Sequence, residues 1–188
     1  MKSETTLAME LILTKQFFQS DYCLMHKEVS YGKEICDLMG LSQHYKDLIC
    51  IELKQSVQDF HSKAKVTFLG NRNYYAMPFD VYEKVKDEIP REIGVFTLPR
   101  ENILKKECPM VMIKRCLRQM LHCDMSEIYW NMQNSMKANP DQITNALELD
   151  FKNTHDLALE DKQFYEWLKT NGLDDYYFER DIIRNKIW

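Results

Sequence analysis

The chain has 188 residues, a net charge of −4, five glycines and five prolines. That length holds one domain with a sizeable core, or one domain with a helical appendage, and so little Gly and Pro excludes a collagenous, linker-rich or disordered chain. The charge is uneven: residues 141–188 carry eleven acids against six bases, which leaves the first 140 residues at +1, so local basic patches decide whether that part meets a polyanion.

A folded, mostly helical α/β protein is expected. No apolar run approaches the length of a membrane span, and the first residues lack the basic start, apolar run and small-residue cleavage site of a secretory signal. A protein that stays in the cytoplasm is therefore expected.

In chain order, Ser3-Glu-Thr-Thr-Leu7 opens like a capped helix running to about Phe18, with Leu7, Leu11, Thr14, Phe17 and Phe18 on one face. Glu10 sits within that face. A carboxylate there either finds a cation or metal, or lies at the edge of the stripe and reaches solvent. Residues 22–29 and 34–41 read as two strands joined by a turn at Ser30-Tyr-Gly-Lys33. An Asp inside the second, Asp37, disfavours a strand and needs a reason.

Residues 42–46 form a turn, and 46–54 a third strand in which Ile49, Ile51 and Leu53 face one way while Cys50, Glu52 and Lys54 face the other. A Glu-x-Lys at a strand end is by itself compatible with two side chains reaching solvent. On adjacent antiparallel strands, however, Asp37 and Glu52 are neighbours with Lys54 one pleat further. Two carboxylates a few ångströms apart form a hard oxygen site suited to Mg²⁺, and a lysine beside it can orient an attacking water.

After Lys54 the period changes to that of a helix over residues 55–68, striped by Val57, Phe60, Ala64 and Phe68. Residues 73–77 form a short strand stopped by Pro78, 79–86 a helix broken by Pro90, and 94–98 a further strand before Pro99. Residues 109–122 read as a helix with Met110, Ile113, Leu117, Met120 and Leu121 on its apolar face. Lys105, Lys106, Lys114, Arg115 and Arg118 make this the most basic part of the chain and a second candidate nucleic-acid contact. Another helix follows Asp124, and one or two more occupy 141–170, ended by Asn171-Gly172. Trp130, Trp167, Tyr176 to Phe178 and Trp188 supply apolar surface to dock this tail on the front of the chain or on a second subunit, a homodimer. Its acidic balance reads as a solvated helical surface.

The six cysteines form no Cys-x-x-Cys pair and are expected to be reduced and mostly buried. Cys108, Cys116, His122 and Cys123 are a conceivable zinc or iron–sulfur set, but their spacing matches no standard ligand pattern.

The run Ile35-Cys-Asp37, the run Ile51-Glu-Leu-Lys54-Gln-Ser-Val-Gln-Asp-Phe60 and the strand Asn73-Tyr-Tyr-Ala-Met-Pro78 together resemble the PD-(D/E)XK nuclease superfamily. Within it the likeness is to the MmcB-like DNA-repair endonucleases and related small phage and bacterial proteins, and it covers about residues 5–98. The resemblance implies a restriction-endonuclease-like α/β core, a mixed sheet flanked by helices, over residues 1–100, with a helical C-terminal region over 101–188 packed on it.

It implies a Mg²⁺- or Mn²⁺-dependent deoxyribonuclease, with RNA not excluded as substrate. Asp37 and Glu52 would hold the metal with the Leu53 carbonyl, Lys54 would assist the water, and Glu10 would be an additional acid beside the metal. Gln55, Ser56, Lys63, Lys65 and Arg72 would contact the nucleic acid. The proline usual before the first acid is replaced by Cys36, and an aromatic residue expected later by Val66. The alternative is a catalytically silent nuclease-like fold that binds nucleic acid or a partner protein. Tyr74 and Tyr75 would stack on bases or, by strand alternation, place at least one ring in the core.

Overall fold

A computed structural model describes residues 2–19, 25–42, 47–62, 68–121, 123–151 and 162–171. Its elements are α1 (Glu4–Gln19), β1 (Met25–Tyr31), β2 (Glu34–Leu41), β3 (Leu48–Leu53), α2 (Val57–Phe60), β4 (Arg72–Pro78), α3 (Phe79–Val85), β5 (Gly94–Leu98), α4 (Arg100–Lys105), β6 (Val111–Lys114), α5 (Met125–Ala138), α6 (Gln142–Leu147) and α7 (Lys162–Thr170). The six strands form one mixed sheet in sequence order. The pairs β1/β2 and β2/β3 are antiparallel, β3/β4 and β4/β5 parallel, and β5/β6 antiparallel. Helices flank the sheet, so the expected α/β class holds, in an arrangement consistent with a restriction-endonuclease-like core.

Every residue of β3 is buried because the strand is central and both faces are covered. Ile49, Ile51 and Leu53 pack on one side with Ala8, Met9, Ile12, Leu13 and Phe17 of α1, and with Tyr74 and Phe96. On the other side Leu48 and Cys50 meet Val29, Cys36, Met39 and, from α5, Ile128 and Met132. Further along that side Tyr75, Met77 and Val95 meet Val81 and Val85 of α3. Tyr74 and Tyr75 are thus both core residues, on opposite faces. Gly94 is what lets the Tyr74 ring lie against β5, since a Cβ there would come within 2.4 Å of Tyr74 Cδ1.

Two expected patterns are corrected. In α1 the buried face is Ala8, Met9, Ile12, Leu13 and Phe17, while Leu7 and Phe18 point outward. The packing directions of a nearly enclosed helix are set by what lies around it, which a single apolar stripe does not encode. Over its described residues, 109–121, the expected 109–122 helix does not form: 111–114 are β6, paired to β5, and 115–121 run on without helix or strand. Leu117 N–H donates to Glu92 O at 3.0 Å and Gln119 N–H to Asn71 O at 2.8 Å. The spacing of apolar residues imitated a helix, but an apolar run beside the open edge of β5 gains ladder hydrogen bonds instead. Met120, expected in the apolar face, is 77% exposed.

The residue 55–68 helix is described only as the four residues of α2, with Ala64 outside the described residues. Cys108 and Cys116 lie in the cluster under α1, whereas Cys123 packs against the opposite face, so these thiols share no site. Asn171 N–H closes α7 on Trp167 O and Leu168 O. Trp167 stacks on Phe164 and meets Phe79 at 4.9 Å, so this tryptophan docks on the chain's own core.

Gln16 ties α1 to the strand-bearing segment ahead of β6. Its Nε2 donates to Met110 O at 3.0 Å, and its Oε1 accepts from Met110 N–H at 2.9 Å, both buried. Gln16→Leu keeps the apolar volume but leaves two buried backbone groups unpaired. It should therefore cost about 2–3 kcal/mol, read as a lower urea midpoint at unchanged m-value.

Candidate active site

The site forms where β2 and β3 part. Their ladder runs from Leu41 opposite Leu48 to Leu38 opposite Ile51 and stops, although both strands continue. On the other side of β2, Lys27 pairs with Leu38 and Val29 with Cys36, and Glu28 between them takes the left-handed conformation at φ 54°. Asp37 therefore sits at an interruption of both ladders. Its Oδ2 accepts the Leu53 N–H at 2.8 Å, supplying from a side chain the acceptor that the ladder no longer provides. That is the reason an Asp is tolerated inside this strand.

Glu52 is 4% exposed and stands opposite Tyr75 on β4. The Tyr75 ring packs against Phe60 at 5.2 Å and Phe68 at 5.0 Å, and the nearby Glu52 charge adds to burial in pushing its phenol above the ordinary value. Lys54 N–H donates to Ala76 O at 2.9 Å, carrying the β3/β4 pairing one residue past the strand, and the lysine is itself 4% exposed. Burial pushes the Asp37 carboxyl above its ordinary value. The Leu53 N–H and the Lys2 and Lys54 charges act against that push, and Asp59 adds to it.

The backbone after Lys54 is held by a reciprocal cap. Ser56 Oγ accepts from Asp59 N–H at 3.1 Å, and Asp59 Oδ2 accepts from Gln55 N–H at 3.0 Å. From the first residue of α4, just past β5, Arg100 Nη2 donates to Gln55 O and to Asp80 Oδ2, each at 3.0 Å. Glu10 is buried in α1 and its partner is the Lys2 ammonium, which also reaches Glu28 Oε1 at 3.0 Å. Burial raises the Glu10 carboxyl, Lys2 and Lys27 lower it, and the Asp37 charge raises it further. Glu10 also lines a cavity of about 260 Å³ with Lys27, Asn139, Asp141 and Asn145.

The donor types are those that a small hard cation takes. Asp37 and Glu52 offer carboxylate oxygens, and a carboxylate that accepts one N–H retains lone pairs for a further partner. Among the described residues no group of three or more His, Cys, Asp or Glu converges as a cage. An ion here would draw on two carboxylates, a backbone carbonyl and water, which is the arrangement Mg²⁺ commonly takes.

Of the residues marked in the sequence, Glu52, Leu53, Lys54, Gln55 and Ser56 follow one another at the carboxyl end of β3, Asp37 is tied to them through the Leu53 N–H, and the Asp37 charge acts on Glu10. Arg72 does not join them. It stands opposite Ile49, roughly 10 Å back along β3 from Glu52. There its Nε donates to the buried Asp47 at 3.1 Å, which Arg118 also holds at 2.8 Å. Lys63 and Lys65 lie outside the described residues. His61 pairs with Glu88 at 2.8 Å, and Lys114 donates to Ile89 O and Pro90 O.

The sequence does not mark Lys2, Asp59 or Arg100 as site residues. The Ser-x-x-Asp spacing of Ser56 and Asp59 is a legible capping signal, and Arg100 follows a strand-stopping Pro99, whereas nothing in the sequence singles out Lys2.

No protein-family model matches the sequence, and no curated protein matches it. Among solved structures the fold is similar to the SPO1766 protein of unknown function from Silicibacter pomeroyi, at 14% identity and a TM-score of 0.54. The match covers 81% of this chain and 89% of that one. This likeness concerns the fold alone. Among the described residues no helix is long and apolar enough to cross a membrane.

Proposed function

We propose that this chain is a nuclease of the PD-(D/E)XK superfamily, a cytoplasmic Mg²⁺- or Mn²⁺-dependent deoxyribonuclease acting in DNA repair or in processing phage or mobile-element DNA. The observation that carries the reading is the 2.8 Å hydrogen bond from Leu53 N–H to Asp37 Oδ2, because it fastens the Asp37 carboxylate to the Glu52-Leu53-Lys54 tripeptide.

Asp37, Glu52 and the Leu53 carbonyl are the groups that would hold the ion, with Glu10 as a further acid nearby. The bound cation would supply Lewis-acid polarisation of the phosphoryl oxygen and a more acidic water. Lys54 would orient the attacking water and offset the negative charge that grows on the phosphorus oxygens, worth most in a site screened from bulk solvent. Phe60 and Phe68 pack on Tyr75, which stands opposite Glu52.

Conversion of supercoiled plasmid to nicked circles in Mn²⁺ tests this reading, with single-stranded DNA and RNA as parallel substrates. Wild-type protein should cut DNA, and Asp37→Ala and Lys54→Ala should not. Equal cutting by all three would mean a contaminating nuclease and would sink the assignment. The second reading, a binding-only nuclease-like fold, is favoured by the prior engagement of Glu10 by Lys2. It predicts DNA binding without cutting by the wild type.

A further inference from the structure

We propose that Arg100 is a phosphodiester-binding residue, and that a nucleic-acid backbone runs from Lys54 to Arg100 along the carboxyl ends of β3, β4 and β5. The proposal rests on the nuclease reading above for its substrate class and adds a residue and a path to it.

Topology supplies the first ground. In open sheets with parallel strands, ligands bind beyond the carboxyl ends of those strands. Here the parallel strands are β3, β4 and β5, and the residues just past their ends include Lys54, Asp80 and Arg100. Lys54 and Arg100 leave strands two places apart, a lateral step of about 10 Å.

The guanidinium supplies the second. Arg100 Nη2 has two acceptors, Gln55 O and Asp80 Oδ2, and these account for one nitrogen of a planar fork with five N–H groups. The bond to Gln55 O anchors the guanidinium to the residue after Lys54, so its place beside the site is fixed before any ligand arrives. The Asp80 carboxylate is 53% exposed and the Arg100 side chain 36%, so their ion pair is screened and easily exchanged for a phosphate oxygen. Arg72, Arg118 and Lys114, by contrast, are committed to Asp47 or to backbone carbonyls away from this edge.

Fluorescence anisotropy of a labelled single-stranded oligonucleotide, titrated with protein at several salt concentrations in Ca²⁺, tests the proposal. Arg100→Ala should weaken binding about 10-fold and lower the slope of log K against log salt by about 0.7, the loss of one phosphate contact. Arg100→Lys should fall between, keeping the charge and losing the fork. Asp80→Ala should bind as tightly as wild type or tighter, because a competing carboxylate is gone.

If Arg100 only braces the Gln55 loop, Arg100→Ala and Asp80→Ala will weaken binding alike with the salt slope unchanged, and the proposal is overturned. It is equally overturned if wild type and Arg100→Ala bind indistinguishably, or if wild type does not bind. Failure of the nuclease reading looks different: Arg100-dependent binding persists and Mn²⁺-dependent nicking by wild type is absent.

Discussion

Lys54→Met is expected to lower Mn²⁺-dependent nicking of plasmid DNA by about 10²- to 10³-fold, the usual loss when one preorganised charge is taken from a transition state. Met keeps most of the side-chain length and has no charge to desolvate. Lys54 is almost fully enclosed, so its removal recovers a desolvation cost but takes a cation away from Asp37, and the variant should stay close to wild type in stability. A thermal unfolding curve alongside the nicking assay reads both effects. Activity lost with stability kept marks a residue retained for chemistry rather than for the fold. Nicking at the wild-type rate would remove Lys54 from the mechanism.

Asp37 allows the separation to be made at the other half of the site. In Asp37→Asn the amide oxygen can still accept the Leu53 N–H, while the charge is gone. Burial already disfavours the Asp37 carboxylate, so Asn should cost little stability. Nicking should nevertheless fall about 10²-fold or more, with weaker Mn²⁺ binding by calorimetry. Asp37→Ala should lose the same activity and about 1–3 kcal/mol besides, because it leaves the Leu53 N–H without its acceptor at the point where the ladder ends. Asparagine supporting wild-type nicking would mean that Asp37 serves only as a backbone cap, and the metal site would have to lie elsewhere.

The two readings of Asp37 are compatible because the same event produces both. Where β2 and β3 separate, a backbone donor loses its ladder acceptor. A carboxylate of the right reach satisfies the donor and keeps lone pairs for a further partner. The reciprocal cap of Ser56 and Asp59 then fixes the chain immediately after Lys54, and Arg100 grips the same turn from the start of α4. A cation and a phosphate would meet groups that are already held in position.

What the sequence determined by itself is what depends on local period and local chemistry. Alternation along Glu34–Leu41 and Leu48–Leu53 set the strands and the facing of Ile49, Ile51 and Leu53 against Cys50 and Glu52. The prolines and turn residues set most of the boundaries, and the misfit of Asp37 in a strand marked it as a residue with a task.

What only the tertiary structure decided is what depends on partners distant in the chain. Residues 109–122 carry a helical spacing but pair in part with β5, because a free sheet edge offers hydrogen bonds that a local pattern cannot announce. Arg72 is a strand-start cation in sequence and an ion-pair member in space, because it and Arg118 converge on the buried Asp47. Glu10 finds Lys2 eight positions away, and Arg100 finds Gln55 across forty-five. Charge pays a desolvation cost on burial that only a specific partner offsets, and which partner is available is settled by the packing of the whole sheet.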